Sequence, residues 1–210
     1  MIKLQVGESI DMLVYVRSFP FEVSDVKICC IERQKEIDAC KSDKAKLEKY
    51  YAWKLLEIAL KDYMNKDTSE IKFQKRKNKW TCTDCHFSLS HSKNLVAVAV
   101  SDKAVGIDIE SYCGDRFNKE ISKRILTDCE FEHYSNLSDL EKKQFCNIAW
   151  SQKEALFKMQ DKDVALSQIE TLGASVFTKT IALSSGDEFF LSVAGDCDNV
   201  EYNLSGLNFK

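Results

Sequence analysis

The sequence is poor in the residues that interrupt regular structure, since its 210 residues include one proline and seven glycines. This scarcity excludes collagen-like chains and flexible linkers, which depend on those residue types. No uninterrupted apolar run reaches the ~18 residues of a membrane-spanning helix. Positive charge is not in excess either: 30 basic residues against 33 acidic ones leave a net charge of −3. Nucleic acid and anionic membranes are therefore not expected as partners, and any bound anion must be held by local clusters.

The rest of the composition is that of an ordinary globular protein, with 44% hydrophobic and 30% charged residues. A chain of this length buries roughly 70% of the surface that it exposes when unfolded, so it needs no covalent cross-link to fold. The amino-terminal segment carries Glu8 and Asp11 before an apolar core could form, unlike a signal peptide. We therefore expect a cytosolic protein.

Cysteine is abundant, with nine residues at irregular spacing. An odd count without an export signal predicts free thiols in a reducing compartment. One stretch, Cys82-Thr-Asp-Cys85-His86, matches the attachment motif of c-type haem, although such attachment normally follows export. A zinc site would need two further ligands, and the sequence has no second pair at this spacing. A haem or metal–thiolate redox protein that uses these three residues is the alternative from another functional class.

Patterns of apolar residues divide the chain into strands and helices. Strands are predicted at residues 10–19, 87–90, 95–100, 105–110, 175–183, 188–195 and 200–204. Helices are predicted at residues 43–64, 118–137 and 138–160, and a capping box of Ser138 and Glu141 starts the last one. Residues 71–80 are predicted as a basic connector. This mixture predicts an α+β protein.

A weak internal repeat indicates that the chain has two similar halves. Residues 87–101 resemble residues 181–195, because each segment has Leu-Ser before a turn and then a strand rich in small or branched apolar residues. Chance similarity is the alternative, since identity is low. If the repeat is real, two similar α+β lobes are related by a pseudo-twofold axis. The lobes would span residues 1–104 and 105–210.

Two carboxylates lie close together in the segment Gly106-Ile-Asp108-Ile-Glu110. Side chains alternate along a strand, so Asp108 and Glu110 share one face while the isoleucines enter the core. Carboxylates at this separation repel each other unless a cation lies between them, and hard oxygen ligands suit Mg²⁺. Taken alone, such a pair is more often a solvated strand face.

A second charged pair lies in the segment Trp150-Ser-Gln-Lys-Glu154-Ala-Leu-Phe-Lys158. Glu154 and Lys158 are four residues apart and share one helix face. A routine helix ion pair is the plain interpretation. In the functional interpretation, Glu154 is a metal ligand or a general base and Lys158 is a cation for phosphate oxygens.

A serine and a histidine stand side by side in the segment Ser88-Leu-Ser90-His91-Ser92. Neighbours on a strand point to opposite faces, so Ser90 and His91 do not form a nucleophile and its base. The Gly-x-Ser-x-Gly elbow of hydrolases is also missing. As hydrogen-bond donors at a strand end, these two side chains suit a phosphate.

The order and spacing of these three segments are more specific than any one of them. Ser-His-Ser, then Gly-Ile-Asp-Ile-Glu, then Trp-Ser-Gln-Lys-Glu-Ala-Leu-Phe-Lys resembles the 4′-phosphopantetheinyl transferase superfamily over about residues 86–158. The length and the repeat resemble its two-lobed, surfactin-synthetase-activating type. The resemblance implies two α+β lobes with the active site at their junction. It also implies transfer of phosphopantetheine from coenzyme A to a serine of an apo acyl or peptidyl carrier protein, with release of adenosine 3′,5′-bisphosphate.

The resemblance assigns a role to each charged side chain. Asp108, Glu110 and Glu154 would bind Mg²⁺, for which Mn²⁺ is the alternative because both accept oxygen ligands. Glu154 would also take the proton of the acceptor serine. Lys158 would contact the pyrophosphate of coenzyme A and assist the leaving group. His91 would contact the 3′-phosphate, with Ser90 nearby.

Two stretches depart from the family pattern. Members often carry Gly-Lys-Pro before the Ser-His-Ser strand, where this chain has Asn78-Lys79-Trp80, so Lys79 is a candidate phosphate ligand without its usual flanks. The family also places basic residues near the first long helix to bind the 3′-phosphate. Here Lys41, Lys44 and Lys46 compete for that role.

The partner implied by the resemblance docks near the segment that follows the two strand carboxylates. In this chain that segment is residues 111–135, where Phe117 and Ile121 are candidate apolar contacts. One chain completes the predicted site, so a monomer is expected. A catalytically inactive relative that only binds carrier proteins is the second alternative.

Overall fold

A computed structural model describes residues 10–22, 27–76, 79–114, 116–160 and 164–209. The strands are β1 (Met12–Ser18), β2 (Phe73–Arg76), β3 (Lys79–Cys82), β4 (His86–Ser92), β5 (Leu95–Ser101), β6 (Val105–Ser111), β7 (Val176–Ala182), β8 (Glu188–Gly195) and β9 (Val200–Asn203). The helices are α1 (Ile31–Asp38), α2 (Asp43–Met64), α3 (Lys119–Ile125), α4 (Asp128–Ser135) and α5 (Asp139–Met159). The predicted α+β class is confirmed. Across these ranges, no helix is both long and apolar enough to cross a membrane.

The strands form two main sheets and a separate hairpin. The first sheet has the order β4-β5-β1-β9, in which β9 runs parallel to β1 and the other pairs are antiparallel. The second sheet has the order β6-β8-β7 and is antiparallel. Because β9 follows the second sheet in sequence but pairs with β1, the predicted lobes share a sheet. Their boundary at residues 104 and 105 falls between β5 and β6 and stays a prediction.

Each half of the chain has the same order of elements around one long helix. A first strand, β1 or β6, is followed later by the helix α2 or α5 and then by a hairpin, β4–β5 or β7–β8. The second strand of the hairpin pairs with the first strand in both sheets. The predicted sequence repeat aligns β5 with β8. A pseudo-twofold axis between the halves stays a prediction.

Alternation along the strands divides the core into layers. Leu13 and Tyr15 of β1 pack with buried residues of α2, whereas Val14 belongs to the core between the two sheets. Ile107 and Ile109 of β6 belong to that same central core. The opposite face of β6 is therefore directed at α5, and it is this face that carries the predicted carboxylates.

Two predictions of local structure were wrong. Residues 71–80 are not a connector, because they contribute to the β2–β3 hairpin, whose Phe73 and Trp80 pack against Trp53 of α2. Of the basic residues that suggested a connector, Lys72, Lys75 and Arg76 are exposed. The single helix predicted at residues 118–137 is two helices, α3 and α4. Thr127 separates them, since its hydroxyl accepts from the Glu130 backbone N–H at 3.2 Å and caps α4.

The start of α5 confirms the predicted capping box. The carboxylate of Glu141 accepts a hydrogen bond from the Ser138 backbone N–H at 2.8 Å. Helix α1 lies in a part of the chain where no element was predicted.

Candidate active site

Serine hydroxyls join the two sheets where the edge strands β4 and β6 meet. Three serines that alternate along β4 each accept a hydrogen bond from a backbone N–H of β6. The pairs are Ser88 with Ile107 at 3.1 Å, Ser90 with Ile109 at 3.2 Å and Ser92 with Ser111 at 3.0 Å. A buried backbone N–H needs a partner, and these hydroxyls supply one at the sheet edge. We call this set the serine ladder; the Ser-x-Ser-x-Ser spacing was its signal in the sequence.

Gly106 allows α5 to lie directly on β6. A Cβ atom at this position would come within 1.9 Å of the Ala155 carbonyl oxygen and 2.6 Å of the Met159 backbone nitrogen. Both neighbours are backbone atoms, so only a shift of the helix could make room. Glu154 and Lys158 precede these two contact residues in the chain. The glycine therefore sets the close approach that brings both charged side chains of α5 towards Asp108.

Asp108 is buried at the centre of the site, with 4% of its surface exposed. Its Oδ1 atom accepts hydrogen bonds from Ser90 Oγ at 2.8 Å and from Lys158 Nζ at 2.7 Å. Its Oδ2 atom is buried and has no hydrogen-bond partner among the described residues. Leaving a buried carboxylate oxygen unpaired is unfavourable, and a bound cation would satisfy it.

Lys158 is oriented by three acceptors. Besides Asp108, its ammonium donates to Ser90 Oγ at 3.2 Å and to the Ile107 carbonyl oxygen at 3.1 Å. About a quarter of the side chain is exposed, at 27%. The ion pair that Lys158 makes among the described residues is therefore with Asp108 of β6, not with Glu154 along the helix, and sequence spacing alone does not show this contact.

Glu110 is held by two residues on the same side of the site. Its Oε1 atom accepts from Trp150 Nε1 at 3.0 Å, and its Oε2 atom lies 3.3 Å from Arg116 Nη1. The Arg116 guanidinium also stacks over the Trp150 ring, at 5.1 Å from its centroid. Neither partner was predicted to have a role in the site. Their effect is to fix the second carboxylate of β6 in one place.

Glu154 lies within the electrostatic field of both strand carboxylates. Burial raises the pKa of its carboxyl group, Lys158 opposes that rise, and the charges of Asp108 and Glu110 add to it. In the described ranges, however, no group of three or more Asp, Glu, His or Cys side chains is close enough to hold a metal ion. The three carboxylates are thus electrostatically coupled without forming a ready metal site, and their role as ligands stays a prediction.

Comparison with known proteins identifies the segment that carries these carboxylates. Residues 104–193 match the 4′-phosphopantetheinyl transferase superfamily. The resemblance predicted from the motifs is thereby confirmed for this segment, which contains β6, α5, β7 and most of β8. We refer to it as the matched segment.

Two curated relatives are named 4′-phosphopantetheinyl transferase, and each matches less than half of the chain. A 4′-phosphopantetheinyl transferase of Bacillus subtilis is 30% identical over 83 residues, which cover 40% of this chain and 36% of that protein. The 4′-phosphopantetheinyl transferase psf-1 of Bacillus pumilus is 33% identical over 98 residues, which cover 46% and 38%. The match thus spans under two-fifths of the length of each relative.

His91, outside the matched segment, lies opposite the amino-terminal part of α2. Glu48 lies between two predicted phosphate ligands, since its carboxylate is 3.7 Å from His91 Nδ1 and 3.7 Å from Lys44 Nζ. Burial lowers the pKa of His91, Glu48 opposes that change, and the charges of Lys158 and Lys44 add to it. Of the candidate lysines, Lys44 is brought to His91. Lys46 is two residues further along α2, where the helix turns its side chain away from that of Lys44.

Lys79 approaches the site through the backbone of α5. Its ammonium donates to the Lys158 carbonyl oxygen at 2.7 Å, in the last turn of the helix. A cation at this end of a helix pairs with carbonyls that lack intrahelical partners. The structure thus gives Lys79 a contact that the sequence did not predict, and its role as a phosphate ligand stays a prediction.

Phe117 does not have the exposure expected of a docking contact. Only 8% of its surface is exposed, and its ring packs near Trp150 with centroids 6.1 Å apart. It is part of the small core that supports α3 and α5. Ile121, the other predicted contact, is 38% exposed on α3.

Proposed function

We propose that this chain transfers 4′-phosphopantetheine from coenzyme A to a serine hydroxyl of an apo acyl or peptidyl carrier protein, in the presence of Mg²⁺, and releases adenosine 3′,5′-bisphosphate. The observation that carries the proposal is the arrangement at Asp108. One oxygen of this buried carboxylate is paired with Lys158, and the other has no partner among the described residues. The match of the surrounding segment to the superfamily supports the same conclusion.

The donor set at Asp108 suits a divalent cation. Its unpaired oxygen, together with the carboxylates of Glu110 and Glu154, would provide the hard oxygen ligands that Mg²⁺ and Mn²⁺ accept. When bound, such an ion offsets the negative charge of the pyrophosphate and of the leaving phosphate. Burial and then the charges of Asp108 and Glu110 raise the pKa of Glu154, and the cation would offset the repulsion from these two carboxylates.

Glu154 is suited to accept the serine proton. A serine hydroxyl is a weak nucleophile at neutral pH and needs a base positioned beside it. The raised pKa of the Glu154 carboxyl means that its ionised form binds a proton more strongly than an ordinary glutamate. General-base catalysis of this kind is worth about 10²–10⁴-fold in rate.

The cations of the site are suited to the phosphates of coenzyme A. Lys158 is held by Ser90 and the Ile107 carbonyl, so its ammonium is fixed in position. A positioned cation stabilises the charge that develops on a departing phosphate. His91, which follows Ser90 in β4, lies with Lys44 around Glu48, where the 3′-phosphate would be bound.

A transfer assay tests the proposal. The purified chain is mixed with coenzyme A, Mg²⁺ and a panel of apo carrier proteins, and the carrier mass is measured. We expect one phosphopantetheine group to be added to at least one carrier. The variants Asp108→Asn and Glu154→Gln are expected to abolish the addition, whereas Glu201→Gln, on the exposed face of β9, retains it.

Two results would contradict the proposal. Full transfer by Asp108→Asn or by Glu154→Gln would refute the role of that residue. Binding of coenzyme A without transfer to any carrier, although the carriers are modified by an established transferase, would favour the inactive, carrier-binding relative.

A further inference from the structure

Cys82 and Cys85 form a thiol pair that the proposed transfer reaction does not use. Cys82 ends β3 and Cys85 directly precedes β4, so the intervening turn folds one side chain onto the other. Their sulfur atoms are 3.7 Å apart, and Cys82 Sγ also lies 3.3 Å from the Cys85 carbonyl oxygen. Small side-chain rotations would bring two sulfurs at this distance into bonding contact.

The two thiols differ in exposure and in acidity. Cys85 is buried, whereas Cys82 is partly exposed. The hydrogen bond from the Cys85 thiol lowers the pKa of Cys82 to about 6, with help from backbone hydrogen bonds of the turn. The same hydrogen bond, together with burial, raises the pKa of Cys85. One thiol is therefore a nucleophile that a small molecule can reach, and the other is a protonated thiol beneath it.

A cavity of about 380 Å³ opens beside this pair. Both cysteines line it, its basic lining residues are Arg76, Lys79 and His86, and no carboxylate is among the described residues that line it. Asp84, in the turn between the cysteines, does not line the cavity and lies 3.6 Å from Lys66. The cavity therefore presents a local positive charge to a ligand that approaches Cys82.

We propose that Cys82 and Cys85 form a thiol–disulfide exchange site for anionic small-molecule disulfides, of which glutathione disulfide is the probe. Cys82 Sγ, as the thiolate, attacks one sulfur of the disulfide. The disulfide bond breaks, a mixed disulfide forms on Cys82, and the departing thiolate takes up a proton. Cys85 then loses its proton and attacks Cys82 Sγ. This step closes the Cys82–Cys85 bond and releases the second thiolate, which is also protonated.

The exchange balances in both electrons and protons. Two electrons pass from the protein dithiol to the small disulfide, which is reduced to two thiols. The two protons lost by the cysteines are taken up by those two products. A disulfide is the only co-reactant, so no metal or further oxidant is required. The metal–thiolate alternative, by contrast, finds no third ligand at this pair within the described ranges.

Peptide mapping tests the exchange. The reduced chain is equilibrated with glutathione buffers of increasing oxidised fraction, quenched with acid, alkylated and digested. We expect a peptide in which Cys82 and Cys85 are bridged and which lacks two hydrogen atoms. The proposal is overturned if both cysteines stay alkylated at excess glutathione disulfide while the exposed Cys29, Cys113 and Cys129 form mixed disulfides.

Single variants test the order of attack. Cys85→Ser is expected to trap a stable glutathione adduct on Cys82, because the second thiol is gone. Cys82→Ser is expected to leave Cys85 without an adduct, because its sulfur is buried. The control Cys129→Ser, exposed on α4, should form the bridge at the normal rate. A glutathione adduct on Cys85 in the variant Cys82→Ser would refute the assigned roles. So would the absence of an adduct on Cys82 in the variant Cys85→Ser.

Charge selectivity and the pH profile complete the test. Arg76→Gln should slow the reaction with glutathione disulfide by about threefold at low salt and leave the reaction with uncharged hydroxyethyl disulfide unchanged. An equal effect on both disulfides would refute the anionic preference. The alkylation rate of Cys82 should level off above about pH 6. A rate that keeps rising to ~8.5, the ordinary pKa of a free thiol, would contradict a nucleophilic Cys82.

Discussion

The first strand of each half packs against a long helix, yet the two contacts differ in chemistry. β1 directs Leu13 and Tyr15 at α2, and the result is a core. β6 directs Gly106, Asp108 and Glu110 at α5, and the result is a polar site. The other faces of both strands are apolar and share the central core. Side chains on one strand face therefore decide whether this arrangement forms a core or a site.

The buried lysines of α2 and α5 also differ, because one pairs within its own helix and the other pairs with a separate element. Lys54 of α2 pairs at 2.6 Å with Glu57 of the same helix. Lys153 of α5 pairs at 2.6 Å with Glu130 of α4, and both side chains are fully buried. Lys153 also donates to the Ile169 carbonyl oxygen beyond the helix. The ion pair of the second half thus connects separate elements and holds α5, which carries Glu154, in place.

The largest expected effect follows removal of that connection. Lys153→Met leaves the Glu130 carboxylate buried and without its counter-ion, which typically costs about 3–5 kcal/mol. Lys54→Met should cost less, because Glu57 retains slight exposure to solvent, whereas Glu130 is fully buried. The free energy of unfolding in urea measures both. Equal losses of unfolding free energy would show that the two ion pairs contribute equally to stability.

A smaller effect is expected where α5 meets β6. Gly106→Ala places a Cβ atom against backbone, so we expect a loss of about 3 kcal/mol, at the upper end for overpacking, and reduced transfer as α5 moves from Asp108. Gly195→Ala is the matched control, since its Cβ would meet the flexible end of Met12 at 2.6 Å. Unfolding free energies and transfer rates distinguish them. If both variants lose the same unfolding free energy and the same transfer rate, the close approach at Gly106 does not determine the geometry of the site.

The parts of this comparison that rest on local pattern were predictable from the sequence. The bounds of α2 agree with the predicted residues 43–64, because apolar residues recur at helical spacing and Asn65 ends the helix in a left-handed conformation. Alternation alone placed Asp108 and Glu110 on one face of β6. The Ser138 cap located the start of α5. Each of these features depends on residues within a few positions of one another.

The parts that depend on packing between distant segments could not be predicted. Glu48 meets His91 only because α2 lies across β4, and no local pattern relates the two. Lys79 contacts a carbonyl 79 residues away. Phe117 was expected on the surface, but an aromatic residue type does not reveal which neighbours cover it, and here Trp150 does. Residue type indicated the chemistry of the site, and packing decided which residues reach it.

A smaller loss of stability is expected from the serine ladder, whose hydrogen bonds join the two sheets. Ser88→Ala removes the acceptor of the Ile107 backbone N–H and should cost about 1–2 kcal/mol, the penalty for a buried unpaired donor. Ser185→Ala, in the exposed turn between β7 and β8, is the control and should change stability by less than ~0.5 kcal/mol. Thermal or urea unfolding measures both. A loss at Ser88 no larger than that at Ser185 would mean that water or another group replaces the ladder bond.

The smallest expected effect is on the pH dependence of stability, and it concerns the Lys153–Glu130 ion pair of the second half. Burial raises the pKa of Glu130, but hydrogen bonds from Lys153 and Thr171 outweigh it and hold the pKa below its usual value. A lowered carboxyl pKa in the folded state contributes stability that is complete above the unfolded value, about 4.3, and is lost as the pH falls below it. Lys153→Met removes the hydrogen bond that most lowers the pKa of Glu130. The free energy of unfolding of this variant should therefore fall less steeply as the pH is lowered. Urea midpoints between pH 7 and pH 3.5 measure the slope, and parallel slopes for the two proteins would exclude the Lys153–Glu130 pair as its source.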